Sequence, residues 1–260
     1  MIADFKNIKL FVLDMDGTIY IGDKPIDGAF EWVQKINEDP DRDFIFFTNN
    51  ASKVPCIYVE KLAKLGLDVT QDKIVTAGDV CAQFLLENYK DAKIYLNGTP
   101  ALEKNWEAKG INLVKDNPDV CVQSFDTTLT YEKLDRICHF IRNGADFIAT
   151  HKDINCPTEY GFMPDCGAMC DLITSSTGVK PRFFGKPYKE TVDMLTSITG
   201  IKAKDMCFVG DRLYTDVATG VNNGASGILV LSGESTMQTV EESNVVPTAI
   251  YNTISEINFK

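Results

Sequence analysis

The feature that most constrains this chain is Leu10-Phe11-Val12-Leu13 running directly into Asp14-Met15-Asp16-Gly17-Thr18. Four successive apolar residues, branched and aromatic among them, leave no polar side to turn toward water. They fit a strand covered on both faces, as in parallel sheets. The run stops on two carboxylates one residue apart, followed by a glycine that permits a tight turn. In open parallel sheets, ligands bind outside the carboxyl ends of the strands. An acidic pair there is either a solvated turn or the beginning of a site, and the stretch alone does not decide between them.

Later apolar runs end in the same manner. Phe44-Ile45-Phe46-Phe47 closes on Thr48-Asn49-Asn50, and Phe183-Phe184 leads into Gly185-Lys186-Pro187 ahead of a helix beginning near Tyr188. Met206-Cys207-Phe208-Val209 closes on Gly210-Asp211-Arg212, with Asp216 at the start of a further helix. Between the first two strands, Phe30, Val33 and Ile36 form a helical stripe. Ser52 is placed to cap the next helix, Pro55 lies near its first turn, and Lys73-Ile74-Val75-Thr76 reads as a third strand. Strand, helix, strand, helix, strand is the signature of a parallel α/β sheet. From Asp79 to about residue 180 the alternation repeats, without polar strand ends of that kind. The expected elements are helices over 80–88, 102–109, 130–143 and 168–177, and strands over 93–96, 111–114, 120–122 and 147–150. This segment reads as a second α/β unit, with glycines near 77–79 and 178–181 as natural hinges.

If the four polar strand ends belong to one sheet, they converge on one edge of it. Carboxylates crowded there repel one another and raise each other's pKa unless a cation intervenes. Oxygen-only ligands select a hard ion, and a site with few protein ligands suits Mg²⁺, which keeps several waters. A lysine and a hydroxyl at the same edge suit an anion that the metal also bridges. The combination points to phosphoryl transfer.

Asp14-Met15-Asp16-Gly17-Thr18, Thr48-Asn49, Gly185-Lys186-Pro187 and Gly210-Asp211 with Asp216 resemble, in order and spacing, the four motifs of the haloacid dehalogenase (HAD) superfamily of phosphatases. The insertion and the phrase Phe47-Thr48-Asn49-Asn50-Ala51-Ser52-Lys53 resemble its NagD-type, or 4-nitrophenyl phosphate phosphatase, branch. The resemblance implies an α/β fold with a Rossmann-like parallel-sheet core, residues 1–78 and 181–260, and an inserted α/β cap domain, residues 79–180. It implies a Mg²⁺-dependent hydrolase of small phosphate monoesters: nucleoside monophosphates, sugar phosphates or aryl phosphates. Asp14 would be the nucleophile that forms an aspartyl-phosphate, and Asp16 the general acid and base. Asp14 and Asp211 would bind the metal by carboxylate and Asp16 by its backbone carbonyl. Thr48, Asn49 and Lys186 would bind the phosphate, with Asp216 orienting the site from behind. One departure stands out. After Pro157-Thr158-Glu159-Tyr160-Gly161, the family's Pro-Gly-x-Gly is replaced by Pro164-Asp165-Cys166-Gly167. Asp165 thus brings a negative charge to the loop expected to cover the substrate.

Composition removes other classes. The net charge is −11 with no basic cluster, which disfavours a nucleic-acid polymer as partner. No apolar run approaches the roughly 20 residues of a membrane helix, and Met1 to Lys6 lack a signal-peptide pattern. None of the eight cysteines forms a C-x-x-C pair, so reduced thiols and a cytoplasmic setting are expected. His151, Cys156, Cys166 and Cys170 match no usual structural zinc spacing and read as incidental groups in a loop-rich segment. A homo-oligomer is compatible with the sequence and not specified by it. The alternative from another class is a phospho-acceptor signalling domain without turnover. It also groups acids, a Thr and a Lys at strand ends, but needs no large insertion between the last two.

Overall fold

The computed structural model describes residues 5–158 and 160–259. Met1 to Asp4 of the signal-peptide reading and Glu159 of the Pro-Thr-Glu stretch lie outside the described residues. In chain order the elements begin with β1 (Leu10–Leu13), β2 (Tyr20–Ile21), β3 (Lys24–Pro25), α1 (Ala29–Asn37), β4 (Asp43–Thr48), α2 (Pro55–Leu65) and β5 (Ile74–Thr76). There follow α3 (Ala77–Asn88), β6 (Ile94–Asn97), α4 (Pro100–Ala108), β7 (Val120–Gln123), α5 (Tyr131–Arg142), β8 (Asp146–Ala149), β9 (Asn155–Thr158), β10 (Gly161–Pro164) and α6 (Cys166–Thr177). The chain closes with β11 (Arg182–Phe183), α7 (Lys189–Thr199), β12 (Met206–Gly210), α8 (Ala218–Asn222), β13 (Ser226–Val230), α9 (Met237–Glu242) and β14 (Ala249–Tyr251). They form two compact units. One is Met1–Thr48, Tyr58–Val75 and Lys186–Lys260; the other is Asn49–Ile57 and Thr76–Gly185.

The first unit is a Rossmann-like sheet in the order β14-β13-β12-β1-β4-β5. β1 is central and parallel to both neighbours. Leu13 lies opposite Phe46 on one side and Val209 on the other. That register makes Asp14, Thr48 and Asp211 leave the sheet at one edge. The all-apolar reading of β1 holds because both faces are covered and every residue is buried. On one face, α1 inserts Trp32, whose ring meets Phe11 at 5.2 Å and Phe259 at 5.5 Å, while its indole N–H donates to the Ile257 carbonyl at 2.9 Å.

The second unit holds a parallel sheet in the order β11-β8-β7-β6. Helices α5 and α6 bury Ile137, Ile141, Cys170 and Ile173 against Cys121, Phe147 and Ala149 of that sheet. Its strand ends depart from expectation. Asn97, Gln123, Ser124, Thr150 and His151 are polar and fully buried. Hydrogen bonds among them offset much of the cost of burial, although Asn97 Oδ1 has no hydrogen-bond partner among the described residues. Asn97 Nδ2 donates to Gln123 Oε1 at 3.1 Å, Gln123 Nε2 to the Ser124 carbonyl at 2.7 Å, and Thr150 Oγ1 to Ser124 Oγ at 3.3 Å. The 49–57 segment is tied to this unit, where Thr99 Oγ1 donates to the Ser52 carbonyl at 2.9 Å.

Three local expectations also change. The 111–114 strand is reduced to one bridge, Leu113 to Ile94. The expected hinge at 77–79 is the first turn of α3, locked by a reciprocal cap in which Thr76 Oγ1 accepts from the Asp79 N–H and Asp79 Oδ2 accepts from the Thr76 N–H. The Ser52 hydroxyl is bonded to Asn50 Oδ1 at 2.7 Å, and α2 opens on Pro55 instead. No helix among the described residues is long and apolar enough to cross a membrane.

Because Phe11 is fully buried between α1 and the chain's C-terminal segment, Phe11→Ala should cost about 3–5 kcal/mol. Equilibrium urea denaturation measures it. A loss below about 1 kcal/mol would mean this face of the sheet is not the packed core described.

Candidate active site

Four side chains of the first unit converge at the carboxyl edge of its sheet. The Asp14 N–H still donates to the Val209 carbonyl at 2.9 Å, so the strand ladder itself delivers its side chain to the edge. Lys186 is 3% exposed. Its ammonium lies 2.6 Å from Asp14 Oδ1 and 2.5 Å from Asp216 Oδ1, and also donates to the Phe47 carbonyl at 3.1 Å. Asp216 comes from a π-helical turn, Leu213–Val217, ahead of α8. Such wide turns often mark functional positions. Here the turn carries the carboxylate back over the end of β12, where it also accepts from the Arg212 N–H at 3.0 Å. Gly210 has no side chain because one would overlap Asp216, with a Cβ 2.2 Å from its Cγ.

Asp211 completes the group. Carboxylate oxygens of Asp14, Asp211 and Asp216 lie within 4.8 Å of one another. Asp211 Oδ2 accepts from the Glu234 N–H at 2.7 Å, whereas its buried Oδ1 has no hydrogen-bond partner among the described residues. Glycines crowd it: a Cβ on Gly233 would lie 2.0 Å from Asp211 Oδ2, and one on Gly17 2.5 Å. The 232–234 loop therefore belongs to the site, with Ser232 Oγ donating to the Gly17 carbonyl at 2.6 Å. The readable signal was Ser232-Gly233-Glu234, one residue beyond the buried β13 strand. Asp16 lies on the exposed side of the same turn, and Thr48 is half-buried at the end of β4.

Electrostatics favour a bound cation. Burial raises the Asp14 carboxyl well above its ordinary range; Lys186 opposes this, and Asp216 and Asp211 add to it. Burial, then Asp216, pushes Asp211 up to about 6. Burial alone would depress the Lys186 ammonium, but Asp14 and Asp216 outweigh it and hold the group above its ordinary value. One ammonium faces three carboxylates, with Arg212 acting on Asp211 as well, so the acids outnumber the cations beside them. An oxygen-only donor set with an orphaned buried carboxylate oxygen fits a hard divalent ion.

In the second unit, Asn49 is buried and donates through Nδ2 to both oxygens of Asp153, at 3.2 and 3.3 Å. Asp165 is also buried. The segment expected as a covering loop is a β9–β10 hairpin followed by α6, and Asp165 caps that helix. Its Oδ1 accepts from its neighbour's N–H, Cys166, at 2.6 Å and lies 2.8 Å from His151 Nε2. Burial opposes charge on His151, but Cys166 and Asp165 outweigh it and hold the imidazole up at about 9. Cys166 and Cys170 are not loop residues; they sit one turn apart inside α6, both fully buried. Among the described residues, the ligand-capable atoms that gather with His151 are those of Asp153 and Asp165, without a cysteine.

Comparison with known proteins gives the family. A haloacid dehalogenase-like hydrolase family model matches residues 11–112, and a HAD-hydrolase-like model matches residues 183–257. An acid sugar phosphatase of Staphylococcus saprophyticus is 34% identical over 97% of each chain. The 5'-nucleotidase YutF of Bacillus subtilis is 33% identical, covering 96% of this chain and 98% of its own. Among solved structures, a 4-nitrophenylphosphatase of Thermotoga maritima superposes with a TM-score of 0.94 at 42% identity, over 98% of this chain and 99% of that one. NagD of E. coli gives 0.90 at 28% identity, over 97% and 99%. The chain belongs to the haloacid dehalogenase-like hydrolases, of the NagD-like kind, and it is a phosphatase. The phospho-acceptor alternative gives way to the enzyme reading, since these relatives are named as enzymes.

A pH dependence follows from Asp211. Without divalent ions, the folded protein keeps that proton to about pH 6, against an ordinary value of 3.8. The folded state then binds more protons than the unfolded one inside this window, so stability falls as pH rises through it. Asp211→Asn removes the loss. Metal-free, its melting temperature should exceed the parent's at about pH 7.5 and converge with it near about pH 4. A variant less stable than the parent at the higher pH would contradict the crowded-carboxylate account.

Proposed function

We propose that this phosphatase hydrolyses small phosphate monoesters through an aspartyl-phosphate on Asp14, with Asp16 as general acid and then general base. The observation that carries the reading is the Lys186 ammonium shared between Asp14 and Asp216, beside Asp211, at one sheet edge. Asp14 attacks phosphorus while Asp16 gives a proton to the departing oxygen, which leaves as the alcohol. Asp16, now a carboxylate, takes a proton from water; that water attacks phosphorus, and the bond to Asp14 breaks to release inorganic phosphate. Lys186 holds Asp14 and offsets charge on the phosphoryl oxygens, and Asp216 keeps Lys186 in place. Thr48 and Asn49 supply donors to the phosphate. Asp14 and Asp211 through carboxylates, and Asp16 through its carbonyl, would hold Mg²⁺. When bound, this ion neutralises phosphoryl oxygens and lowers the cost of ionising Asp14.

The second unit is assigned the role of an inserted cap; in support, Thr48 and Lys186, in the first unit, flank nearly all of it in the chain. Sugar phosphates, nucleoside monophosphates and aryl phosphates are the candidate substrates, supported by the names of the relatives above. All eight cysteines are free thiols, which supports a reducing, cytoplasmic setting.

Asp14→Asn should abolish turnover with the fold intact. Asp16→Asn should still accept a phosphoryl group from an aryl ester with a good leaving group, but should release phosphate slowly. Acid–base assistance is worth about 10²–10⁴-fold. Rapid-quench kinetics on 4-nitrophenyl phosphate separates the steps: a burst of phenolate is expected from the Asp16 variant and none from the Asp14 variant. Equal, mild losses in both would overturn the assignment, as would full activity in excess chelator.

A further inference from the structure

Ser232-Gly233-Glu234-Ser235, beyond β13, is bonded to the chain that leaves β12. The Ser235 N–H donates to the Asp211 carbonyl at 3.1 Å, and Ser235 Oγ accepts from the Leu213 N–H at 3.3 Å. At the other end, Ser232 Oγ donates to the Gly17 carbonyl. Between these anchors sits the Glu234 N–H, which donates to Asp211 Oδ2. The same oxygen is enclosed by Gly17 and Gly233, where a Cβ would lie 2.5 and 2.0 Å from it. The Asp211 carboxylate is therefore held by its Oδ2. Its buried Oδ1, without a hydrogen-bond partner among the described residues, is the oxygen left for a cation.

The Glu234 side chain makes a separate pair of contacts. Oε2 lies 2.8 Å from Arg212 Nε, and Oε1 accepts from the Tyr214 hydroxyl at 2.8 Å. Both partners belong to the turn that carries Asp216. Tyr214 is inside the π-helical turn Leu213–Val217, and Arg212 immediately precedes it. The Arg212 carbonyl accepts from the Asp216 N–H at 3.0 Å, and the Arg212 N–H donates to Asp216 Oδ2 at 3.0 Å. An exposed ion pair by itself adds little to stability, so the consequence of this one lies in what it aligns. Gly233 has the most permissive kind of backbone. The position of the next N–H therefore depends on anchors beyond that glycine, which are Ser235 and the Glu234 carboxylate.

We infer that Glu234 is a positioning residue for the metal: by bridging Arg212 and Tyr214 it holds its own N–H against Asp211 Oδ2 and keeps Oδ1 available to a divalent cation. The inference rests on Asp211 being a metal ligand, as proposed above, and it lies wholly within the first unit. Partners that orient a metal ligand are commonly worth about 10–100-fold in metal affinity. The rival account is charge alone, in which a carboxylate near the site draws a cation without aligning anything. An amide in place of the acid separates the two. Glu234→Gln can keep both contacts without the charge, its oxygen accepting from Arg212 and its nitrogen donating to the Tyr214 hydroxyl, which accepts as well as donates.

The test is Mg²⁺ binding by the full chain, read without turnover as the rise in melting temperature with Mg²⁺ concentration. Glu234 is exposed, so its variants should fold. Glu234→Ala should raise the apparent Mg²⁺ dissociation constant about 10-fold or more, and Glu234→Gln should recover most of that loss. Tyr214→Phe, which keeps the charge and removes one anchor, should share part of it. Adding Tyr214→Phe to Glu234→Ala should change nothing further, because the hydroxyl acts through that carboxylate. An unchanged constant in Glu234→Ala would overturn the inference. So would a Gln variant as weak as the Ala variant with Tyr214→Phe at the parent's value, since charge alone would then carry the effect. Asp211→Asn should lose the Mg²⁺ response; if it binds Mg²⁺ as tightly as the parent, the ligand role proposed for Asp211 falls, and this inference with it.

Discussion

The ammonium of Lys186 is the group on which the first unit's site depends. It is buried, touches Asp14 and Asp216, and also donates to the Phe47 carbonyl. A charge in that position is tolerable only because the opposite charges are there, and they are tolerable only because it is. The sheet register follows the same need. Asp14, the end of β4 and the end of β12 must reach one edge together, and the pairing of Leu13 with Phe46 and Val209 does this. Lys186 then arrives on a separate stretch, ahead of α7, and closes the group.

Even so, the charge does not balance. Asp211 adds a third carboxylate whose buried Oδ1 has no hydrogen-bond partner among the described residues, and glycines at 17 and 233 leave room for its Oδ2. The fold thus maintains an arrangement that is unfavourable by itself, and the divalent cation and phosphate proposed above would relieve it. Strain of this kind is expected where binding, rather than stability, has shaped a site. The second unit shows the contrasting solution. Asn97, Gln123, Ser124 and Thr150 at its strand ends carry no charge and are joined by hydrogen bonds, which stabilise a framework.

Much of this was legible in the chain. An apolar run buried on both faces and ending in Asp-x-Asp has few possible homes, and the same punctuation at Thr48, Lys186 and Asp211 repeats the statement. What stayed hidden was of two kinds. Asn97, Gln123, Ser124 and Thr150 carry no pattern that separates a buried hydrogen-bonded ladder from solvated strand ends, since the Asn97–Gln123 and Ser124–Thr150 pairs are distant in sequence. Asp165 and Asp153 were equally opaque: an acid between a proline and a cysteine reads as loop chemistry until His151 is found 2.8 Å away. Gly78, expected at a chain crossing, lies in a helix for a local reason, because Thr76 and Asp79 form a reciprocal cap around it.

The central claim is that a phosphoryl group passes through the Asp14 carboxylate. The most direct measurement is to mix the enzyme with an ester carrying labelled phosphate, quench in acid during turnover, digest and map the label. The account predicts label on the peptide that contains Asp14, bound as an acyl phosphate that hydroxylamine removes. Turnover with no covalent label under conditions that retain acyl phosphates, or label on any other residue, would contradict it.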